Sequence, residues 1–434
     1  MLNNKHIFLK MFAAFGIVGI LAACGGGGGG GGDDGPVFRP DVATSNVQVV
    51  AGEEGLDGGV MNTISWTEVP AATEYLVYWN NVDNVTEDSA VVVPIRAGND
   101  SVVHGGVEVV AGATYYYRVQ ALSGGESSIL SEVAAGTPQE TITSNKLNDI
   151  AWNGVDTLVA VGDSGVIINS PNGTADPWTS ATVNPAGENH LSGVTWEDVN
   201  FQFLIVGAGG TVLTGDGATW SLEDWDDEGS PEISDLEDVA WLGDRYIAVG
   251  KDGTIITSPD GSFWTQQDPP ASVTTITLNG VASDGNRIVV VGTNGLMLTS
   301  DDAGVSWSEL DKITNNELND ITWDGSLFVV VGSDGTVLSS PDGIDWIEHT
   351  EVQLDNTFVG ASQWDSGLPQ EPIALAAVGS SGDFMVSPDS VSDFMMVRTG
   401  TLKILSAVTW VDDGGSNPYF VIVGQDGTVL TNQQ

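Results

Sequence analysis

The chain has 434 residues, of which 41% are hydrophobic, and it carries 59 Asp plus Glu against 12 Lys plus Arg, for a formal net charge of −47. That length accommodates two or three domains with buried cores. A field of this sign repels nucleic acid and anionic lipid headgroups and attracts cations and basic partners, so nucleic acid is excluded as a partner.

The first element in chain order is an export signal. Lys5 and Lys10 precede the apolar run Met11 to Ile20, and small residues follow in Leu21-Ala22-Ala23-Cys24. A short basic region, a short apolar core and small residues make a secretory signal, and the core is too short to span a membrane comfortably. Its removal takes Lys5 and Lys10 with it and moves the charge from −47 to −49. The tetrad ending at Cys24 resembles the bacterial lipobox. The resemblance implies cleavage before Cys24, a thioether-linked diacylglycerol and an added palmitate-class acyl chain, and hence a lipoprotein held to a membrane surface. Cys24 is the single cysteine, so no intramolecular disulfide can form. Gly25 to Gly32 and then Asp33-Asp34-Gly35-Pro36 follow, and glycine-rich chain is flexible coil, so residues 25–39 read as a tether. Gly25 directly after the cysteine resembles lipoproteins sorted to a Gram-negative outer membrane, which implies the bacterial cell envelope as the location.

Residues 40–138 carry a different pattern. In Tyr115-Tyr116-Tyr117-Arg118-Val119-Gln120-Ala121 the alternation puts Tyr115, Tyr117, Val119 and Ala121 on one face of a half-buried strand. This segment and Ile64 to Trp79 together resemble a fibronectin type III domain. The resemblance implies a β-sandwich with Trp66 as the core tryptophan, Tyr115 as the corner tyrosine, and the role of a spacer.

Self-similarity governs residues 147–434. An apolar run ending in Val-Gly recurs at Gly162, Gly207, Gly250, Gly292, Gly332, Gly379 and Gly424, with spacings of 45, 43, 42, 40, 47 and 45 residues. Each copy has a first strand such as Leu147 to Trp152, the Val-Gly strand, a tight turn such as Asp252-Gly253, Asn294-Gly295 or Asp334-Gly335, a third strand, and a tryptophan-led fourth. Four strands per unit of about 42 residues predict propeller blades. The fold class expected is therefore all-β, with an N-terminal sandwich followed by a seven-bladed β-propeller over residues 139–434. The seventh unit lacks a fourth strand, and residues 139–145 are expected to supply it and so lock the ring.

The turn before the fourth strand has its own signature. Ser300-Asp301-Asp302-Ala303-Gly304-Val305-Ser306-Trp307 has shorter relatives in Thr214 to Trp220, Ser258 to Trp264 and Ser340 to Trp346. Asp216, Asp260, Asp302 and Asp342 are expected to accept backbone N–H groups, and Trp220, Trp264, Trp307 and Trp346 to pack between strands. The pattern resembles the Asp-box of sialidase-like propellers, and among these the repeat proteins that include the photosystem II assembly factor. In that superfamily the box is scaffolding.

The resemblance to sialidases implies a glycan-active hydrolase, but those enzymes hold a substrate carboxylate with three arginines. This propeller has Arg245, Arg287 and Arg398, and the first two fall between first and second strands, on the face opposite the usual pocket. The triad is absent, and a hydrolase would have to rely on paired carboxylates. The assembly factors present an arginine patch, whereas an acidic face calls for a basic, cationic or neutral client. The longest acidic run, Asp224, Trp225, Asp226, Asp227 and Glu228, lies on a ligand-facing loop and is the candidate site for a cation such as Ca2+ or for a glycan or protein ligand. No other cofactor is implied. Asp149, Asp238 and Asp320 are expected at the channel mouth, fixing the top loops. The reading is a monomeric, non-catalytic, membrane-anchored lipoprotein that binds or scaffolds, with a sialidase-type hydrolase lacking the arginine triad as the alternative.

Overall fold

The computed structural model describes residues 44–431 except 46, 55–59, 88, 93–94, 97–100, 106–112, 125, 137–142, 171–177, 181–184, 186, 224–233, 324, 350–356, 365–373, 388–393, 400, 402 and 413–418. Cys24 and the tether therefore lie outside the described residues. The chain divides into two compact units, Met1–Thr141 with Thr399–Thr401 and Gln434, and Ile142–Arg398 with Leu402–Gln433.

In the first unit, alternation of buried and half-exposed side chains along Tyr115–Ser123 builds one wall of a core. Tyr115, Tyr117, Val119 and Ala121 all point into it, as their spacing predicts, and meet Ile64, Trp66, Tyr75, Val77 and Ile95. Two sheets enclose this core. One pairs Gln48–Glu54, Val60–Ser65 and Ser101–Gly105; the other is built on Glu74–Asn80 paired with Tyr115–Ser123. The unit is a β-sandwich. Trp66 packs on Tyr75 with ring centroids 5.2 Å apart, and the Tyr75 hydroxyl accepts the Val69 N–H at 2.7 Å.

The second unit is the propeller. The innermost strands of its seven blades are Leu147–Trp152, Leu191–Glu197, Leu236–Trp241, Leu278–Ser283, Leu318–Trp323, Phe358–Trp364 and Leu405–Val411. Each pairs with its Val-Gly strand, and in blades 1, 3, 4, 5 and 7 that second strand is buried along its whole length. A strand buried on both faces must be apolar at every position, which is why these runs do not alternate. Blades 1 to 6 have four strands in sequential antiparallel order, and blade 7 has three among the described residues.

The tight turn after each second strand takes positive φ at two successive residues, as at Asp252 (55°) and Gly253 (67°) or Asn294 (59°) and Gly295 (69°). This is the twist that hairpins of this hand require, and Asp, Asn and Gly tolerate it best. Of the expected closing segment, residues 139–142 lie outside the described residues. The carbonyl oxygen of Thr143 lies so close to Gly427 that no Cβ would fit there, and the carbonyl of Thr314 stands the same way against Gly295. The ring closes by side-chain packing as well: Leu147 and Leu158 of blade 1 share a core with Val411, Tyr419 and Val421 of blade 7.

Candidate functional site at the central channel

All seven innermost strands shift register at the same place, one residue after their first apolar side chain. Such a bulge bends the strand and re-aims the residue that follows it. Around the ring those residues are Asp149, Gly193, Asp238, Gly280, Asp320, Gly360 and Ala407, so Asp and Gly alternate until blade 7 breaks the pattern.

Each aspartate bridges two blades. Asp149 Oδ1 accepts the N–H of Ile150 at 2.8 Å, and its Oδ2 accepts the N–H of Val194, in the next blade, at 2.7 Å. Asp238 takes Val239 and Val281 at 2.7 and 2.8 Å; Asp320 takes Ile321 and Ala361, both at 2.7 Å. At the intervening junctions the backbones approach directly. A Cβ on Gly193 would come within 3.1 Å of Asp238 Cα, one on Gly280 within 3.1 Å of Asp320 Cα, and one on Gly360 within 2.4 Å of the Ser406 carbonyl oxygen. Asparagine side chains add bridges beside these, with Asn148 Nδ2 donating to the Leu191 carbonyl and Asn279 Nδ2 to that of Leu318. The expectation for the three aspartates is met in place and corrected in task. They line the channel, but they hold neighbouring blades together rather than the top loops, because the bulge turns them sideways along the ring.

The three aspartates, Asn148, Asn279 and Gly360 line a cavity of about 330 Å³, with Lys146, His190, Glu237 and Glu317 also in its lining. The aspartates are only half-buried by surface, since the partly open cavity lies beside them, yet protein crowds their remaining sides. Burial therefore pushes the Asp149 carboxyl up to about 7, with the charge of Asp238 adding to it, and pushes Asp238 up to about 6. Asp320 is raised by burial and by the charges of Asp238 and Asp149. The accepted N–H groups pull in the opposite direction and lose. Nearby, His190 Nδ1 lies 2.9 Å from Asp163 Oδ1, and Lys251 Nζ 2.6 Å from Asp235 Oδ2. Among the described residues no three or more His, Cys, Asp or Glu side chains are arranged to hold a metal ion.

The turns before the fourth strands lie elsewhere, at the other ends of the strands. Asp216 Oδ1 accepts the N–H groups of Ala218 and Thr219, Asp260 Oδ1 those of Ser262 and Phe263, Asp302 Oδ1 that of Ser306, and Asp342 Oδ1 those of Ile344 and Asp345. The Ser306 hydroxyl and N–H hold Asp302 down at about 2. Ser258, Ser300 and Ser340 each accept the N–H of the turn glycine through Oγ, at 2.8, 2.9 and 2.8 Å. Trp220 is buried; Trp264 and Trp307 donate Nε1–H to the carbonyls of Gly261 and Gly304, and Trp346 packs against the core around Phe328. The carboxylates of Asp216, Asp260, Asp302 and Asp342 each close their own turn.

Arg245 and Arg287 do stand between first and second strands. Arg245 pairs with Asp244 and donates to the Ala303 carbonyl; Arg287 pairs with Asp301 and donates to the Asp342 carbonyl, so both clamp the following blade. The acidic run Asp224, Trp225, Asp226, Asp227 and Glu228 lies outside the described residues. The Asp/Gly alternation was missed by sequence reasoning. Aligning the seven copies on their first apolar residue, as in Leu147-Asn148-Asp149 beside Leu191-Ser192-Gly193, would have put it in one column.

Fold and channel together define a seven-bladed β-propeller whose blades are bridged by carboxylates at the central channel. Residues 178–320 match the model of the DUF6242 beta propeller domain. Among solved structures the chain is similar to YCF48 bound to D1 peptide, with 15% identity, 67% of this chain and 92% of that chain covered, and a TM-score of 0.52. It is also similar to YCF48 from Cyanidioschyzon merolae, with 14% identity, coverage of 67% and 96%, and a TM-score of 0.52. The WD40 beta propeller domain of Doa1 is matched at 12% identity, with coverage of 67% and 93% and a TM-score of 0.51. Identities this low establish a shared fold. No curated protein matches in sequence.

Proposed function

We propose that the protein is a non-catalytic lipoprotein of the bacterial cell envelope, anchored at Cys24 to the outer membrane, that displays its propeller on a glycine tether and a fibronectin type III-like spacer for binding or scaffolding. The observation that carries this reading is the state of the channel carboxylates: Asp149, Asp238 and Asp320 each accept the N–H of the following residue with one oxygen and an N–H of the next blade with the other. These carboxyls are thus committed to holding neighbouring blades together, a structural role that needs no substrate. The arginine clamps support the same reading, because Arg245 and Arg287 are engaged in blade packing. Propellers commonly use one face as a platform, and the YCF48 propeller is bound to a peptide; for this chain the charge of −47 favours a basic or cationic client.

The test has two arms on the full-length chain. Labelled palmitate is expected in the wild type and absent from Cys24→Ala, which should leave the membrane fraction. Purified protein is expected to turn over no sialoside or other glycoside. Measurable hydrolysis abolished by Asp238→Asn would overturn the non-catalytic reading in favour of the hydrolase.

A further inference from the structure

The turns joining first to second strands emerge on the same rim as the Asp-led turns, and among the described residues those of blades 1 to 4 lean on the Asp-led turn of the next blade. In blades 1, 3, 4 and 5 the residue at positive φ in these turns is Gly154, Gly243, Gly285 or Gly325. In blade 2 it is Phe201, at φ 58°. Phenylalanine resists that conformation and gains no burial from it here, since its side chain is 70% exposed. Val199 in the same turn is 60% exposed and Phe263, in the Asp-led turn of blade 3, 76%.

The turn is held firmly. The buried Glu197 accepts the N–H groups of Val199 and Asn200 through Oε1, at 2.8 and 2.7 Å, and the Tyr246 hydroxyl through Oε2 at 3.2 Å. Gln202 Nε2 donates to Tyr246 Oη at 3.2 Å and to the Asp260 carbonyl at 3.5 Å, so the two turns that carry Val199, Phe201 and Phe263 are fastened side by side. Gln202, the residue after Phe201, occupies the place where blades 3 and 4 carry Arg245 and Arg287, and like them it donates to a carbonyl of the next blade's Asp-led turn. The charges beside it are the exposed Asp198, which accepts Trp241 Nε1–H at 3.2 Å, and the exposed Asp260. Neither packing nor backbone conformation accounts for two exposed phenylalanines on a rigid acidic ledge.

We propose that Val199, Phe201 and Phe263 form a docking surface for a basic, amphipathic protein segment, whose apolar side chains cover the two rings while its lysines or arginines meet Asp198 and Asp260. Charge complementarity selects this occupant: the ledge and the whole chain are acidic, so a surface of anionic lipid is repelled. The proposal rests on the binding reading above and gives it a partner class. It fails separately, because binding that survives loss of the patch keeps that reading and removes this surface.

The experiment measures binding of three labelled peptides of equal length, by anisotropy, to the full chain and to Phe201→Ser/Phe263→Ser. One peptide alternates Lys and Leu, one alternates Glu and Leu, and one is all Lys. The Lys/Leu peptide is expected to bind at least tenfold more tightly than the all-Lys peptide and to lose that advantage in the double variant, while the Glu/Leu peptide does not bind. Phe201→Gly, which relieves the backbone and preserves folding, should weaken Lys/Leu binding at least threefold. Equal affinity of the Lys/Leu peptide for wild type and variants, equal affinity of the all-Lys peptide, or Phe201-dependent retention by phosphatidylserine vesicles would each overturn the proposal.

Discussion

Replacing Asp238 by Asn tests the channel bridges through the pH dependence of stability. Asp238 has a folded value of about 6 against an ordinary 3.8. A raised carboxyl means that the folded state binds the proton more tightly than the unfolded chain, so its ionisation opposes folding. The penalty is fully present above pH 6, shrinks as pH falls from about 6 to about 4, and is gone below the unfolded value. Two units correspond to about 3 kcal/mol, an upper figure that channel water reduces. Urea midpoints of the propeller transition, followed by tryptophan fluorescence at constant ionic strength, should therefore be higher at pH 5 than at pH 8. Asp238→Asn removes this charge and relieves Asp320 and Asp149 of its repulsion, so the profile should flatten between pH 5 and 8. Asn still offers one carbonyl oxygen to the two N–H groups of Val239 and Val281; the other is left facing an amide, at a cost of about 1–3 kcal/mol at every pH. The variant should thus lie below the wild type at pH 5 and approach it at pH 8. A wild type more stable at pH 8 than at pH 5, or a variant with the same slope, would refute the assignment of these carboxyls as buried, mutually repelling bridges.

Gly360→Ala should lower the melting temperature more than Gly193→Ala, because its Cβ would lie 2.4 Å from a carbonyl oxygen rather than 3.1 Å from a Cα; overpacking of this kind costs about 1–3 kcal/mol. Ser340→Ala leaves the buried N–H of Gly343 without its 2.8 Å acceptor and should destabilise by about 1–3 kcal/mol in urea denaturation, with no change in peptide binding. Phe328→Ala, which empties a fully buried site in blade 5, should cost about 3–5 kcal/mol by the same measurement.

The alternation at Tyr115, the all-apolar Val-Gly strands and the Asp-Gly or Asn-Gly turns were legible because each is set by neighbours a few residues away. The channel was only half legible. Asp149, Asp238 and Asp320 could be placed at its mouth from their position on the first strands, but the N–H donors they accept from, Val194, Val281 and Ala361, lie more than forty residues further on. The same holds for the Phe201 ledge, where nothing local says that a residue at positive φ will stand beside Phe263.

The sequence by itself determined the all-β class, the seven units, their four-strand anatomy and the glycine-requiring turns, since periodicity, turn chemistry and repeat spacing act over short stretches of chain. Only the tertiary structure decided how the units join: carboxylate bridges at three junctions, direct backbone approach at the Gly193, Gly280 and Gly360 junctions, and a blade 1 core completed by Val411, Tyr419 and Val421 of blade 7. The physical reason is closure. Whether a carboxylate finds an N–H partner or a glycine finds another backbone depends on where the adjoining blade comes to rest, and that position is fixed only when all seven blades share one ring.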